Sequence, residues 1–186
     1  MTCRRLLTII LAAVGISFLC SCSLVPEVQR AFGGHGSYWR DTHKGGKAWM
    51  EVDLRRQVAT FYRGRNKMGV SAISSGDERH RTPDGNYRVL EKLRVKYSGS
   101  YGHVEDARGR VVNINATPRS RVPAGGRYVP APMPYWMRLT SSGIGMHQGF
   151  LPGYAASHGC IRMDKKVVRH FYSAAYVGMR VRIKGG

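Results

Sequence analysis

The residues best suited to covalent chemistry are one cysteine and two histidines near the C-terminal end of the chain. Cys160 is the only cysteine outside the first 22 residues, with His158 two positions before it and His147 further upstream. A thiol with a pKa of about 8.5 is mostly protonated at neutral pH, and an imidazole with a pKa of about 6.5 can remove that proton or stabilise the thiolate. The pattern therefore predicts a nucleophile, Cys160, with either histidine as its base.

Gly159 precedes the cysteine and favours a site for acyl chemistry. A glycine leaves no side chain beside the sulfur and lets backbone N–H groups point at a developing oxyanion. Zinc is the competing interpretation, since His147, His158 and Cys160 could supply three ligands. No aspartate or second cysteine lies at ligand spacing nearby, and no glycine-rich phosphate loop is present. The sequence therefore predicts neither a metal nor a cofactor.

The N-terminus predicts export. Arg4 and Arg5 precede an apolar run over residues 6–19, which is shorter than the roughly 20 residues of a membrane span and is typical of a secretory signal. Residues 19–22, Leu-Cys-Ser-Cys, resemble a bacterial lipoprotein signal, which implies that Cys22 becomes the lipidated first residue. An ordinary cleaved signal with incidental cysteines, or a buried core helix, are the alternatives.

The charge balance indicates an anionic partner. The chain has 186 residues, 30 Lys and Arg against 11 Asp and Glu, and a formal net charge of +19. Such a charge attracts nucleic acid, an anionic membrane or an acidic cell-wall polymer. The secretory signal and the lack of interleaved aromatic residues argue against nucleic acid. An unpaired thiol is also a liability in an oxidising compartment, so we expect Cys160 to have a function there.

The chain divides into three parts and has a mainly β composition. We predict a lipoprotein-type signal peptide over residues 1–22, a flexible tether over residues 23–46 and a catalytic domain over residues 47–186, because Pro and Gly are frequent and apolar periodicity is weak in the second part. Alternating runs separated by turn residues predict short strands, which lie at residues 49–54, 58–62, 70–74, 87–90, 93–95, 111–114, 135–139, 144–147 and 179–183.

Two further elements follow from local sequence signals. The many prolines and glycines in residues 98–134 predict a long loop region around a single short strand. After the cysteine, apolar residues at helical spacing from Val167 to Ala175 predict one helix, with Asp164 as its cap and Gly178 as its stop.

These elements together resemble a known family. The segments 143–149 (Gly-Ile-Gly-Met-His-Gln-Gly) and 157–163 (Ser-His-Gly-Cys-Ile-Arg-Met) are similar to the catalytic motif of bacterial L,D-transpeptidases of the YkuD type. Further matching segments are residues 52–57, 74–76 (Ser-Ser-Gly), 82–85 (Thr-Pro-Asp-Gly), 131–139 and 178–183. The resemblance covers roughly residues 47–184.

The resemblance implies an L,D-transpeptidase-like β-sandwich with one helix after the catalytic cysteine. In this family the cysteine attacks the diaminopimelate–D-alanine bond of a peptidoglycan stem tetrapeptide, forms a thioester and transfers the acyl group to an amine. Cys160 takes the nucleophile's position and His147 that of the base. The resemblance assigns supporting roles at the oxyanion site to Ser157, His158 and Gly159. Residues expected to bind substrate are Arg162, which matches an arginine of one family branch and is suited to a carboxylate, together with Tyr135, Trp136 and Gln148.

Some expectations stay open at this level. Gln148 stands where glycine is common, and the short loop over residues 149–156 could alter acceptor choice. A hydrolase of the same fold that uses water as acceptor, and a non-catalytic wall-binding lipoprotein, are the competing functions. We expect a monomer at the periplasmic or cell-envelope face, with stem peptides as partners, a lipid anchor in a membrane and no nucleic acid.

Overall fold

The structure is a computed structural model that describes residues 36–40, 42 and 45–186. The predicted signal peptide, Cys22 and most of the predicted tether lie outside the described residues. Within the described part, no helix has the length and apolar character needed to cross a membrane.

The protein is mainly β, as the sequence predicts. The described residues form eleven strands and one helix, α1. In chain order the elements are β1 (Tyr38–Trp39), β2 (Ala48–Asp53), β3 (Val58–Arg63), β4 (Asn66–Ser74), β5 (Gly85–Arg88), β6 (Glu91–Glu105), β7 (Val111–Ala116), β8 (Arg127–Arg138), β9 (Gly145–Gln148), β10 (Ile161–Met163), α1 (Val168–Ala174) and β11 (Arg180–Lys184).

The strands join in the order β5-β11-β2-β3-β4-β10-β9-β8-β6-β7, with β1 also on β4. Strand β4 belongs to both halves of this network. Its residues 66–72 pair with β3, two of them also pair with β1, and Ile73 and Ser74 at its end pair with β10. Two pairings, β11 with β2 and β10 with β9, are parallel, and the other pairings are antiparallel. The second parallel pair places the strand that follows the cysteine beside the strand of the predicted base.

One apolar cluster lies between the strands and the helix. Strand β2 shows the expected alternation, with Met50 and Val52 fully buried and the residues between them partly exposed. The same cluster takes Phe171 from α1 and Ile161 and Met163 from β10. Strand β10 is thus held by burial of the residues on either side of Arg162, which leaves the arginine directed away from the core.

The helix is shorter than predicted, and Asp164 does not cap it. Val167 occupies the cap position and makes no side-chain cap hydrogen bond. The Asp164 carboxylate instead accepts from Lys166 N at 2.9 Å, in a turn that precedes the helix. The helix also ends before Gly178. Its stability comes from burial of Val168 and Phe171, since a single short helix gains little from propensity alone.

The expectation of a long loop over residues 98–134 is wrong. This segment contains the second half of β6, all of β7 and most of β8. Pro130, Pro132 and Pro134 alternate along β8, so their ring nitrogens face one side of the strand. Only β6 pairs with β8 at these positions, because β9 reaches no further than Met137 and Arg138. A proline that faces an unpaired strand side removes no ladder hydrogen bond.

Part of the predicted tether belongs to the sheet. Tyr38 and Trp39 pair with Val70 and Gly69 of β4. The Trp39 ring lies 5.2 Å from that of Phe61, between ring centroids. A Cβ at Gly69 would stand 2.5 Å from the Trp39 ring, so the glycine permits this close approach.

Candidate active site

Cys160 and His147 lie on neighbouring parallel strands. Cys160 comes directly before β10, and in the β9–β10 register Arg162 is the partner of His147. A cavity of about 540 Å³ opens over this point. The sequence-predicted site residues in its lining are His147, Gln148, Ser157, His158, Cys160 and Arg162. The fold therefore brings together residues that are separated in the chain.

The Cys160 thiol is half-buried and points at a carbonyl group. Its sulfur lies 3.7 Å from Gly143 O, to which it donates. Burial raises the pKa of the Cys160 thiol, opposed by a backbone hydrogen bond from Gly145 and by the charge of Arg162. The resting cysteine is therefore a neutral thiol that needs a base.

His147, the base predicted from the sequence, is buried and hydrogen-bonded. Its side chain is almost fully buried, and its Nδ1 lies 2.7 Å from Gln148 O. A carbonyl oxygen can only accept, so Nδ1 carries the proton and Nε2 keeps a free lone pair. Burial, with a smaller contribution from Arg162, lowers the pKa of His147 from 6.5 to about 4, although the hydrogen bond to Gln148 opposes the shift. The imidazole is thus neutral at neutral pH and able to accept a proton.

The turn before Cys160 is held by the Ser157 hydroxyl. Ser157 Oγ donates to the carbonyl oxygen of Cys160 and accepts from Gly159 N at 3.2 Å. Gly159 adopts a φ of +106°, a conformation that favours glycine over other residues. Gly159 itself is buried beneath the cavity and is absent from its lining. Ser157 and Gly159 therefore shape the turn, with the Gly159 N–H already engaged.

A second layer of hydrogen bonds holds this turn from behind. Thr82 Oγ1 donates to Gly159 O at 2.8 Å and accepts from Gly76 N at 2.9 Å. Ser75 O accepts from Ser157 N at 2.9 Å. The Gln57 amide accepts from Ser75 N at 2.9 Å and lies 2.7 Å from Ser75 Oγ. The Ser-Ser-Gly and Thr-Pro-Asp-Gly segments noticed in the sequence thus support the cysteine turn.

Gln57 is a buried residue whose role the sequence did not reveal. It has a φ of +49°, unusual for a residue other than glycine, and its side chain is fully engaged. Its place in a segment similar to the family's first strand was the available signal. The contact to Ser75 depends on β3 and β4 lying side by side, which local sequence does not show.

His158 occupies the outer rim of the cavity. Its ring stacks on Tyr101 with 4.0 Å between centroids and lies 4.8 Å from the ring of His80. The His80 ring in turn lies 3.0 Å from the Asp77 carboxylate. Partial burial, followed by the nearby His80, lowers the pKa of His158. The ring of His158 thus contacts Tyr101 and His80, whereas His147 lies on β9, the strand paired with β10.

Arg162 brings a positive charge to the cavity. The side chain is half-buried, and within the described residues no carboxylate pairs with it. A Cβ at Gly149 would come within 2.7 Å of Arg162 Cγ, so the glycine gives the arginine stem its path. The same charge favours the thiolate of Cys160 and disfavours the imidazolium of His147.

Tyr135 and Trp136 do not line the cavity. Trp136 is fully buried and donates from its indole nitrogen to Glu91 at 3.3 Å. Tyr135 has a φ of +58° and packs against the core near Tyr172, at 5.7 Å between ring centroids. Neither side chain is therefore part of the cavity wall, and the expectation that Tyr135 and Trp136 contact substrate stays a prediction.

The cavity also contains residues that sequence patterns did not identify. Strand β6 carries Lys96 and, at an irregularity in its pairing with β8, the segment 98–101, and all of these line the cavity. They were expected to fall in or beside a loop. No group of three or more His, Cys, Asp and Glu side chains suited to a metal occurs in the described part of the chain.

One comparison with known proteins shows the family of this chain, and the solved structures share its fold. The L,D-transpeptidase catalytic domain (YkuD) model matches residues 47–183. No curated protein sequence matches the chain significantly. Solved structures with the same fold include an L,D-transpeptidase from Mycobacterium smegmatis, at 18% identity and a TM-score of 0.58, covering 76% of this chain and 60% of that one.

Two more solved structures extend this comparison. L,D-transpeptidase 1 from Mycobacterium tuberculosis shares 21% identity with a TM-score of 0.54, over 76% of this chain and 63% of that one. An L,D-transpeptidase from Stackebrandtia nassauensis shares 16% identity with a TM-score of 0.58, over 89% and 68%. The chain thus spans about 60% of the length of the first two proteins.

Proposed function

This chain belongs to the L,D-transpeptidase catalytic domain family, and from that premise we propose that it is a cysteine-dependent peptidoglycan L,D-transpeptidase. Its donor is a stem tetrapeptide, and the bond cleaved joins diaminopimelate to D-alanine. The observation that carries the proposal is the neutral, oriented imidazole of His147 on the strand beside the Cys160 turn.

Acylation begins when His147 Nε2 takes the thiol proton of Cys160. The sulfur attacks the carbonyl carbon at the L-centre of diaminopimelate, and an oxyanion forms. Because Gly159 N–H is bonded to Ser157 Oγ, the N–H of Cys160 itself is the donor we assign to this oxyanion. The carbon–nitrogen bond then breaks, His147 returns its proton to the leaving D-alanine amine, and a thioester remains.

The second half-reaction reverses these proton transfers. An acceptor amine attacks the thioester carbonyl, His147 removes a proton from that amine, and the carbon–sulfur bond breaks. The proton returns to the Cys160 thiolate, so no net charge is left in the site. The resting thiol donates to Gly143 O, so this hydrogen bond breaks before the proton passes to His147.

Arg162 and the overall charge fit this substrate. The half-buried guanidinium lines the cavity beside Cys160 and is suited to hold a substrate carboxylate by a forked contact. The net charge of +19 attracts a wall polymer rich in carboxylates. In this proposal the protein acts as an exported monomer at the cell envelope, anchored through a lipid on Cys22, and Gln148 contacts the substrate.

The test is mass spectrometry of the purified domain incubated with disaccharide tetrapeptide. We expect Cys160 to gain the mass of the donor minus D-alanine, and the Cys160→Ala variant to gain none. Imipenem, with which another L,D-transpeptidase has been solved in complex, serves as a second probe of the same thiol. A wild-type protein that forms no adduct with either compound would support the competing wall-binding function.

The fate of the adduct separates the transferase from a hydrolase. With an acceptor stem present, we expect cross-linked dimers to accumulate. Tripeptide as the only product would show that water is the acceptor. The loop over residues 149–156, which lies beside the cavity through Phe150, is the segment whose exchange should alter that ratio.

A further inference from the structure

The cavity contains a second cationic side chain, Lys96, to which the catalytic scheme assigns no role. Lys96 lies on β6 and lines the cavity together with Arg162. The lining contains no aspartate or glutamate. Within the described residues Lys96 forms no salt bridge, and its ammonium lies 5.7 Å from the centroid of the Trp136 ring.

The position of Lys96 matters more than its lack of a partner. In a chain with 30 basic and 11 acidic residues, most cations must lack one. Other basic residues of this region are paired, as in Arg127 with Glu105 and Arg138 with Glu91. Lys92, on the same strand, donates to Ala175 O at 2.5 Å. Lys96 instead presents its charge to the cavity that contains the nucleophile.

Arg162 and Lys96 stand on different walls of this cavity. Their strands are separated by β9 and β8 in the order β10-β9-β8-β6, so three strand spacings give roughly 14 Å between their backbones. Two cations on different strands of one cavity whose lining contains no acidic residue suit a ligand that carries two carboxylates. A ligand with one carboxylate leaves one cation unmatched.

We propose that Lys96 is a substrate-binding residue that holds a second donor carboxylate, at the D-alanine end or at the far end of diaminopimelate, so that Arg162 and Lys96 each hold one carboxylate of the stem. This inference rests on the proposed function. Two carboxylates of the donor lie on different arms of the peptide: one at its D-alanine end, the other at the far end of the diaminopimelate side chain. Amidation of the carboxylate that Lys96 binds removes its charge and thereby the attraction.

The experiment compares Lys96→Gln with wild type on three donors. These are the free tetrapeptide, the same peptide amidated at D-alanine, and the peptide amidated at the far end of diaminopimelate. On the free peptide we expect KM for the donor to rise roughly tenfold in Lys96→Gln, the size of a lost charge-assisted hydrogen bond, with kcat nearly unchanged. On one of the amidated peptides the two proteins should become equal.

Controls separate a local effect from a general one. Arg94→Gln removes a positive charge from an exposed position of the same strand that does not line the cavity, and it should leave KM unchanged on every donor. Lys96→Arg keeps the positive charge and should restore the lower KM for the free tetrapeptide relative to the amidated one. Thermal unfolding checks that each variant is folded.

The outcomes distinguish this inference from the proposed function. If Lys96→Gln matches wild type on the free peptide, matches Arg94→Gln, or shows the same deficit on all three donors, the assignment of Lys96 is overturned while the transpeptidase function stands. If wild-type Cys160 forms no adduct with any donor, the proposed function itself fails.

Discussion

The two sides of the Cys160 turn differ in whether their polar and charged side chains have partners within the protein. Behind the turn, the polar groups of Gln57, Ser75, Thr82 and Ser157 are hydrogen-bonded to one another and to the backbone. In front of it, Arg162 and Lys96 in the cavity have no carboxylate partner among the described residues. The satisfied side fixes geometry, and the unsatisfied side is available to substrate. Variants of the first should lower turnover and stability, whereas variants of the second should change chemistry or binding with little effect on folding.

The largest effect is expected at the base. His147→Gln removes the free imidazole lone pair and should lower kcat/KM by roughly 10²- to 10⁴-fold, the usual contribution of a positioned general base. The rate of acyl-adduct formation measures this loss. His158→Gln, at the rim, should cost less than tenfold, and the reverse order of the two losses would move the base to His158.

The pH dependence of stability gives a second, smaller effect. Because the folded pKa of His147 is about 4 and the ordinary value is 6.5, the unfolded chain binds more protons between these values. The contribution of His147 to the free energy of unfolding is therefore largest above pH 6.5. It falls as the pH drops toward 4 and does not change further below that pH. The shift corresponds to about 3 kcal/mol. Denaturant unfolding of wild type and His147→Gln at several pH values measures it, and parallel pH curves would contradict it.

The same pKa sets the acid limit of activity. We expect kcat/KM to decline on the acid side near pH 4, well below 6.5, because neutral His147 is the active form. Arg162→Gln removes a positive charge that lowers the pKa of His147. The pH at which kcat/KM declines should therefore be higher in this variant than in wild type. If kcat/KM declines at the same pH in both proteins, Arg162 does not influence the pKa of His147.

Behind the turn, Thr82→Val tests one hydroxyl that makes two hydrogen bonds. The variant keeps the shape but leaves Gly76 N and Gly159 O without their partner. We expect a loss of about 1–3 kcal/mol in the free energy of unfolding and a lower kcat with KM retained. Thr82→Ser, which keeps the hydroxyl, should recover most of both. A normal kcat in folded Thr82→Val would show that the Thr82 hydroxyl contributes to stability but does not position the Cys160 turn.

The smallest effects come from separating strain and hydrogen bonding at Gln57. Gln57→Gly relieves the φ of +49° but loses the contacts to Ser75, whereas Gln57→Leu loses the contacts and keeps the strain. We expect Gln57→Leu to be the less stable by about 1 kcal/mol and both to lower kcat. The exposed neighbour Arg56→Leu is the control. Equal stability of the two Gln57 variants would mean that the backbone there is not strained.

Much of the fold was accessible from the sequence because strand alternation is a local signal. The residues of β2 and β3 were predicted almost to their ends, and the family followed from the spacing of short motifs, which the match over residues 47–183 confirms. The errors lie where context overrides local preference. Prolines predict a loop in residues 98–134, yet they fit β8 because one side of that strand has no partner. The predicted roles of the site residues remain predictions.

The sequence by itself determined the candidate cysteine, the two candidate histidines, the family and the mainly β class, since each depends on residue types at short spacing. The tertiary structure decided which groups face the cysteine and in what state. Neutral His147 depends on burial by distant strands and on the carbonyl of Gln148. Arg162 and Lys96 line the same cavity because of the strand order β10-β9-β8-β6. Burial and electrostatics act through space between residues far apart in the chain, which is why only the folded protein sets them.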